Sequence, residues 1–202
     1  MKGFYFITDP GLSRGGNASD VKSAVRAGVG IIQYREKVAS SLRMLEEARV
    51  LRALCPRALF LVNDRVDICL ASGADGVHIG QDDLPLPVCR KLLGAKKIIG
   101  VTVHSLSEAL RAQAQGADYL AVSPVFPTKT KKDAGRASGT RLIRQIRSRT
   151  MLPLAAIGGI TLDNVPEVIA AGADCVCAIS AVVRRNDVAA EIVKFQRFFT
   201  GL

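Results

Sequence analysis

Short runs rich in Ile and Val recur at regular intervals along this chain, with amphipathic stretches between them. The runs cover residues 4–8, 30–34, 58–62, 76–79, 97–102, 119–123, 154–158 and 175–180. Between them, residues 41–54, 106–115 and 163–171 carry Leu, Val and Ala at helical spacing. Alternation of strand and helix with short connections selects parallel strands joined by crossover helices. A four-residue turn also repeats, as Gly73-Ala74-Asp75-Gly76, Gly116-Ala117-Asp118-Tyr119 and Gly172-Ala173-Asp174-Cys175, with Ala27-Gly28-Val29-Gly30 as a looser copy. Each closes a helical stretch and opens a strand, and its first glycine suits the left-handed residue that ends a helix. The turns precede the second, fourth, sixth and eighth runs, as expected of a fold assembled from two-strand units. Eight strands in 202 residues predict an α/β protein with one domain over residues 1–202, a single (β/α)8 TIM barrel. A doubly wound open sheet is the alternative, but no G-x-G-x-x-G follows the first run.

Composition narrows the function classes. With 49% hydrophobic residues the chain can bury a core without disulfides, and it is too apolar to be disordered. No stretch approaches the roughly 18 uninterrupted apolar residues of a spanning helix. The start MKGFYFITDP lacks the charged-then-apolar layout of a secretion signal, so the expected location is cytoplasmic, with no membrane partner. Cys55, Cys69, Cys89, Cys175 and Cys177 form no C-x-x-C, and their odd number suits reduced thiols. Cys175 and Cys177, two apart in a strand, share a face and read as core. Lys and Arg outnumber Asp and Glu by 28 to 18, a net +10. Such a charge fits nucleic acid, a solvated basic surface, or a pocket for phosphorylated metabolites. The cations are scattered and aromatic residues are few, which argues against a nucleic-acid partner.

In a barrel the chemistry sits at the C-terminal strand ends. Strand two ends in Gln33, Tyr34, Arg35, Glu36 and Lys37. Alternation puts Gln33, Arg35 and Lys37 on one face, an amide and two cations suited to an anion. Strand three ends in Asn63-Asp64, and Gln81-Asp82-Asp83 follows strand four. Carboxylates at neighbouring strand ends suit Mg²⁺, which takes one or two of them plus phosphate oxygens. They also suit simple pairing with Arg35 and Lys37, and spacing does not choose between these readings or between Asp82 and Asp83. Strand six runs into Thr128, Lys129, Thr130 and Lys131, either a phosphate loop or a solvated basic one. Strand seven ends in Gly158-Gly159 and strand eight in Ile179-Ser180, where barrels commonly seat a phosphate. Two separate anionic sites follow. His78 and His104 have no second ligand at zinc spacing, and Ser180 lacks the G-x-S-x-G setting of a nucleophile. His78, within strand four, reads as a satisfied barrel residue.

The stretches FYFITDP, GVGIIQYREK, LVNDRVDICLASGADGVHIGQDD, IIGVTVHS, GADYLAVSPVFPTKTKKDAG, AAIGGIT and GADCVCAISAV resemble the thiamine-phosphate synthases (thiamine-phosphate pyrophosphorylases) over essentially the whole chain. The resemblance implies a transferase of thiamine biosynthesis with one Mg²⁺ per active site. Its substrates would be 4-amino-2-methyl-5-(diphosphomethyl)pyrimidine and 4-methyl-5-(2-phosphoethyl)thiazole or its carboxylated form; its products would be thiamine phosphate and pyrophosphate. It assigns Gln33, Tyr34, Arg35, Glu36, Lys37, Asn63, Thr102 and Lys131 to the pyrimidine diphosphate. It gives Thr128, Lys129, Thr130, Gly159, Ile179 and Ser180 to the thiazole phosphate, and Asp64 and Asp83, rather than Asp82, to the metal. Lys131, Arg35 and Lys37 would be the catalytic cations. The family reaction is understood as loss of pyrophosphate to a carbocation that the aminopyrimidine stabilises. Thr102 stands where the family often has Ser, Ser123 where Gly is common, and residues 135–140 read GRASGT instead of a more Pro-containing stretch. A related thiazole tautomerase and a non-catalytic regulatory or RNA-binding barrel are the alternatives. Retention of Asp64, Asp83, Lys131 and both threonines favours the synthase. A homo-oligomer is left open.

Overall fold

The computed structural model describes residues 1–128, 130 and 135–200. Eight strands, β1 (Gly3–Ile7), β2 (Ile31–Tyr34), β3 (Leu59–Asn63), β4 (Gly76–Ile79), β5 (Ile98–Val103), β6 (Tyr119–Val122), β7 (Leu154–Ile157) and β8 (Cys175–Cys177), pair in parallel in sequence order. β8 pairs back onto β1, which closes the barrel. The crossover helices are α1 (Asn17–Arg26), α2 (Ser41–Leu54), α3 (Val66–Ser72), α4 (Leu86–Leu93), α5 (Leu106–Ala114), α6 (Gly139–Arg147) and α7 (Val165–Ala170). A short α8 (Ile179–Val183) follows β8, and α9 (Val188–Thr200) packs on β1 and α1. Among the described residues no helix is long and apolar enough to cross a membrane.

Strand alternation divides the core into two layers. Tyr5, Ile7, Ile31, Leu61, Tyr119, Ala121, Ala155, Cys175 and Cys177 fill the barrel interior. Phe4, Phe6, Ile32, Tyr34, Phe60 and Val62 face outward into the larger layer beneath the helices. Cys175 and Cys177 therefore share the inner face, and all five cysteines are buried free thiols.

The repeated turn has a structural purpose at the N-terminal end of the barrel. Gly73, Gly116 and Gly172 all take positive φ, at 71°, 87° and 105°. The aspartate two residues later reaches the preceding strand: Asp75 accepts from the Phe60 N–H at 2.8 Å, Asp118 from Ile99 at 2.7 Å and Asp174 from Leu154 at 2.8 Å. An arginine near the end of the helix before that strand meets the same carboxylate, Arg52, Arg90 and Arg147 respectively. Each aspartate thus pins the start of one strand and the end of one helix. The looser copy has Val29 at this position and no such tie.

Most element ends fall within one or two residues of the sequence expectation, and one differs by three. The eighth run does not continue as a strand to residue 180; β8 stops at Cys177, and Ile179 and Ser180 open α8. A stretch of Ala, Ile, Ser and Val has no period that separates a buried strand from a buried helical turn.

Candidate active site

A cavity opens at the C-terminal ends of the strands, and residues from β1 to α8 line it. On its β2 side stand Gln33, Arg35 and Lys37, the alternate residues expected there. The Arg35 N–H donates to Thr8 Oγ1 at 2.9 Å, and its guanidinium sits 3.3 Å from Asp9. Both contacts come from the end of β1, so neighbouring strand ends hold this cation over the mouth. The structure does not bring Tyr34 or Glu36 to the cavity. Tyr34 lies on the outer face of β2 and donates its hydroxyl to Glu47 of α2 at 2.7 Å. Glu36 Oε1 accepts from the backbone N–H groups of Lys37 and Val38 at 2.7 Å and of Ala39 at 3.2 Å. Its carboxylate shapes the turn that presents Lys37.

Asn63 and Asp64 end β3, and Asp83 follows β4. Asp64 has φ 61°, a left-handed conformation that Asp tolerates better than most residues, and donates its N–H to the His78 carbonyl at 2.8 Å. Backbone strain of this kind concentrates at functional sites. Lys37 Nζ pairs with Asp64 Oδ2. Asp83 Oδ2 accepts from the Gly80 N–H at 2.7 Å. Burial, and next the neighbouring Asp64 carboxylate within hydrogen-bonding reach, push the Asp83 carboxyl above its ordinary range. Two carboxylates this close gain from a cation between them. No group of three or more His, Cys, Asp or Glu able to hold a metal occurs among the described residues. Two carboxylates beside the cations Arg35 and Lys37 fit Mg²⁺, which keeps waters and borrows substrate oxygens. Asp82 also lines the cavity.

Across the mouth lie Thr128, Thr130, Gly158, Gly159, Ile179 and Ser180. The Thr130 N–H donates to Thr128 Oγ1 at 3.2 Å, which folds that loop onto itself. Gly159 has φ 62°, and a Cβ there would come within 2.6 Å of the Pro127 carbonyl oxygen and 2.8 Å of Phe126 Cβ. Only glycine lets the β6 and β7 loops close over this wall. Lys129 and Lys131 lie outside the described residues.

The floor of the cavity holds groups that the strand-end reading did not single out for chemistry. Tyr5 and His78 line it, and Tyr119 lies behind them. Tyr5 and Tyr119 are buried tyrosines from distant strands, so one sequence read residue by residue treats them as core. Inward alternation along β1 is the signal that places Tyr5. Thr102, expected at the pyrimidine, meets His78 Nε2 at 2.8 Å. His104 and Ser123 join the rim, the His104 Nδ1–H donating to the Ser123 carbonyl at 2.5 Å. Cys177 also lines the cavity, but burial and then the adjacent Cys175 keep its thiol well above the ordinary range. It is a wall and not a nucleophile.

The family model described as thiamine monophosphate synthase matches residues 4–182. The chain belongs to that family. A thiamine-phosphate synthase from Methanosarcina mazei is 51% identical over 193 residues, 95% of this chain and 80% of the relative. One from Chloroflexus aurantiacus is 49% identical over 189 residues, 92% of this chain and 87% of that one. The solved thiamine phosphate pyrophosphorylase from Pyrococcus furiosus superposes with a TM-score of 0.91 at 39% identity, covering 98% of this chain and 96% of its own. A 3-hexulose-6-phosphate synthase from Salmonella typhimurium reaches a TM-score of 0.75 at 20% identity, a likeness of fold alone. The Pyrococcus furiosus structure thus shares the whole barrel with this chain.

Proposed function

We propose that the cavity performs the family's activity, thiamine-phosphate synthesis, with its two walls dividing the substrates between them. The β2–β4 wall takes the aminopyrimidine diphosphate, and the β6–α8 wall takes the thiazole phosphate. The observation that carries this reading is the cluster of Arg35, Lys37, Asp64 and Asp83 on one side, facing threonines, glycines and Ser180 on the other. One side matches a diphosphate with a divalent cation; the other matches a monophosphate held by neutral donors. The aminopyrimidine ring pushes electrons toward the methylene carbon as its bond to the diphosphate oxygen breaks. That electron pair leaves with pyrophosphate, and the thiazole nitrogen then supplies the pair for the new carbon–nitrogen bond. No protein nucleophile is needed. Arg35, Lys37 and Lys131 neutralise charge growing on the leaving group, and the opposite wall positions the thiazole.

Asp64 and Asp83 would hold Mg²⁺, which when bound adds Lewis-acid stabilisation of the departing pyrophosphate. Turnover of both substrates by metal-stripped protein, with and without Mg²⁺, tests the metal role. Activity should vanish in excess chelator and return with Mg²⁺, and Asp64→Asn should remain folded but lose about a hundredfold or more in rate. Full turnover in excess chelator contradicts the metal assignment. The location proposed with this activity is the cytoplasm, which cell fractionation with detection of the protein in each fraction tests.

A further inference from the structure

Positive charge is unevenly spread over the surface. Residues 134–162 contain five arginines and no acid, so +5 of the chain's net +10 lies in this stretch. Four of them, Arg136, Arg141, Arg144 and Arg149, are exposed. None of these four meets a carboxylate among the described residues. Along the chain these cations look scattered, but α6 gathers them. Its Leu142, Ile143 and Ile146 are buried against the barrel, which turns Arg141, Arg144, Gln145 and Ser148 to solvent at spacing i, i+3, i+4 and i+7. Two like charges one turn apart weaken a helix slightly. Arg144 reaches Thr140 Oγ1 at 2.9 Å, whereas the Arg141 and Arg149 side chains make no hydrogen bond among the described residues.

An open groove of 690 Å³ adjoins the C-terminal end of this helix, lined by Gln113 of α5 and by residues 147–153. Its turn is firmly anchored. Arg147 donates to the carbonyls of Thr150 and, at 2.9 Å, Leu152, and pairs with Asp174 at 3.0 Å. The Leu152 N–H donates to Thr150 Oγ1 at 3.0 Å. These bonds hold Met151 out to solvent, 94% exposed, beside the half-buried Leu152 and Pro153. Leu110, one turn before Gln113 on α5, is also exposed. An unbranched thioether on an anchored turn is an adaptable apolar contact at no cost in backbone order. The groove lies just before β7, at the N-terminal end of the barrel, so a molecule bound there leaves the substrate cavity open.

We propose that the exposed face of α6 and the turn at residues 148–153 together dock an acidic, leucine-containing segment of a partner protein. The charge of the face requires an anion, and the choice of arginine favours one that a planar fork can grip, a carboxylate or a phosphate. The groove decides between them. A nucleic acid would lay its phosphates against Met151, Leu152 and Pro153, and would find no aromatic side chain there on which to stack a base. An acidic segment with apolar residues satisfies both halves: its carboxylates meet Arg141, Arg144 and Arg149, and its leucines cover Met151. The arginines set encounter rate and salt dependence, and the groove sets which acidic segment is kept.

Fluorescence anisotropy tests this with a fluorescein-labelled peptide of Glu and Leu, compared with a peptide of equal charge in which every Leu is Ser. The Leu peptide should bind the tighter, by about fivefold or more. Replacing Arg141, Arg144 and Arg149 together by Gln should weaken it about tenfold or more at physiological salt. Arg43→Gln, Arg57→Gln and Lys96→Gln combined remove the same charge from other exposed positions and should change binding by less than about threefold. Met151→Ser should weaken the Leu peptide about threefold or more and leave the Ser peptide unchanged. Equal losses in the two triple variants reduce the face to bulk charge and overturn the proposal, as does equal binding of the two peptides or no saturable binding of either. Tighter binding of a duplex RNA of matched charge, or of phosphatidylserine vesicles, through the same three arginines assigns the face to another polyanion and overturns it too.

Discussion

Asp174→Ala separates the part of the barrel that confers stability from the part that confers chemistry. Asp174 Oδ2 accepts from the Leu154 N–H at 2.8 Å and from Arg147 Nη1 at 3.0 Å. Leu154 is fully buried, so truncation leaves its amide without a partner where water does not easily replace the carboxylate. A buried donor left unsatisfied costs about 1–3 kcal/mol. The Arg147 pair is partly exposed, with side chains 25% and 38% accessible, and adds no more than about 1 kcal/mol. Together the loss is about 1–4 kcal/mol, or roughly 2–16 °C in Tm for a chain of this length. Urea unfolding at unchanged slope measures it. The site lies at the N-terminal end of the barrel, opposite the cavity, so KM for both substrates should be unaltered. Asp75→Ala and Asp118→Ala carry the same two contacts and should lose similar amounts. A loss below about 0.5 kcal/mol in all three variants, or a changed KM, refutes the assignment of the repeated aspartate to strand anchoring.

Three further outcomes follow from other parts of the molecule. Asp20 is buried, and Asp20 Oδ2 and Asn17 Oδ1 have no hydrogen-bond partner; burial outweighs the Ser13 hydrogen bond and raises the Asp20 carboxyl above its ordinary range. The folded state therefore favours the protonated acid, and a penalty grows as pH rises above the unfolded value of about 3.9. Asp20→Asn should raise Tm at neutral pH, and the gain should close below about pH 4; an equal gain at every pH rejects the titration. Gly100→Ala should cost about 1–3 kcal/mol in urea unfolding, because the Tyr119 ring occupies the space of the new methyl; a neutral effect contradicts that packing. Ser180→Ala should raise KM for the thiazole phosphate roughly tenfold or more and leave the pyrimidine diphosphate KM alone, and equal effects on both substrates reject the two-wall division.

Much of the fold was legible because period and punctuation agreed. α2 begins and ends at Ser41 and Leu54, where the helical spacing put it, and the Gly-Ala-Asp turns marked the strand starts. What the turns did not reveal was the arginine partner of each aspartate, 23, 28 and 27 residues away. The end of β8 was misread because Ile179 and Ser180 suit a strand and a helical turn equally. Within the site, alternation along β2 alone placed Gln33, Arg35 and Lys37 inward. Adding Tyr34 and Glu36 from the resemblance treated a contiguous run as one surface, which a pleated strand never is. The contact between the Tyr5 and Tyr119 hydroxyls was not legible because the two residues are 114 apart, and only barrel closure makes them meet.

The central claim is that one cavity holds both substrates and joins them with release of pyrophosphate. The most direct measurement is a single-turnover reaction of the protein with the aminopyrimidine diphosphate, the thiazole phosphate and Mg²⁺, with both products quantified over time. The account predicts that thiamine phosphate and pyrophosphate appear in equal amounts, with neither formed at an appreciable rate when the thiazole phosphate is withheld. Isomerisation of a thiazole carboxylate phosphate without any condensation, or release of pyrophosphate with no new carbon–nitrogen bond, would contradict it.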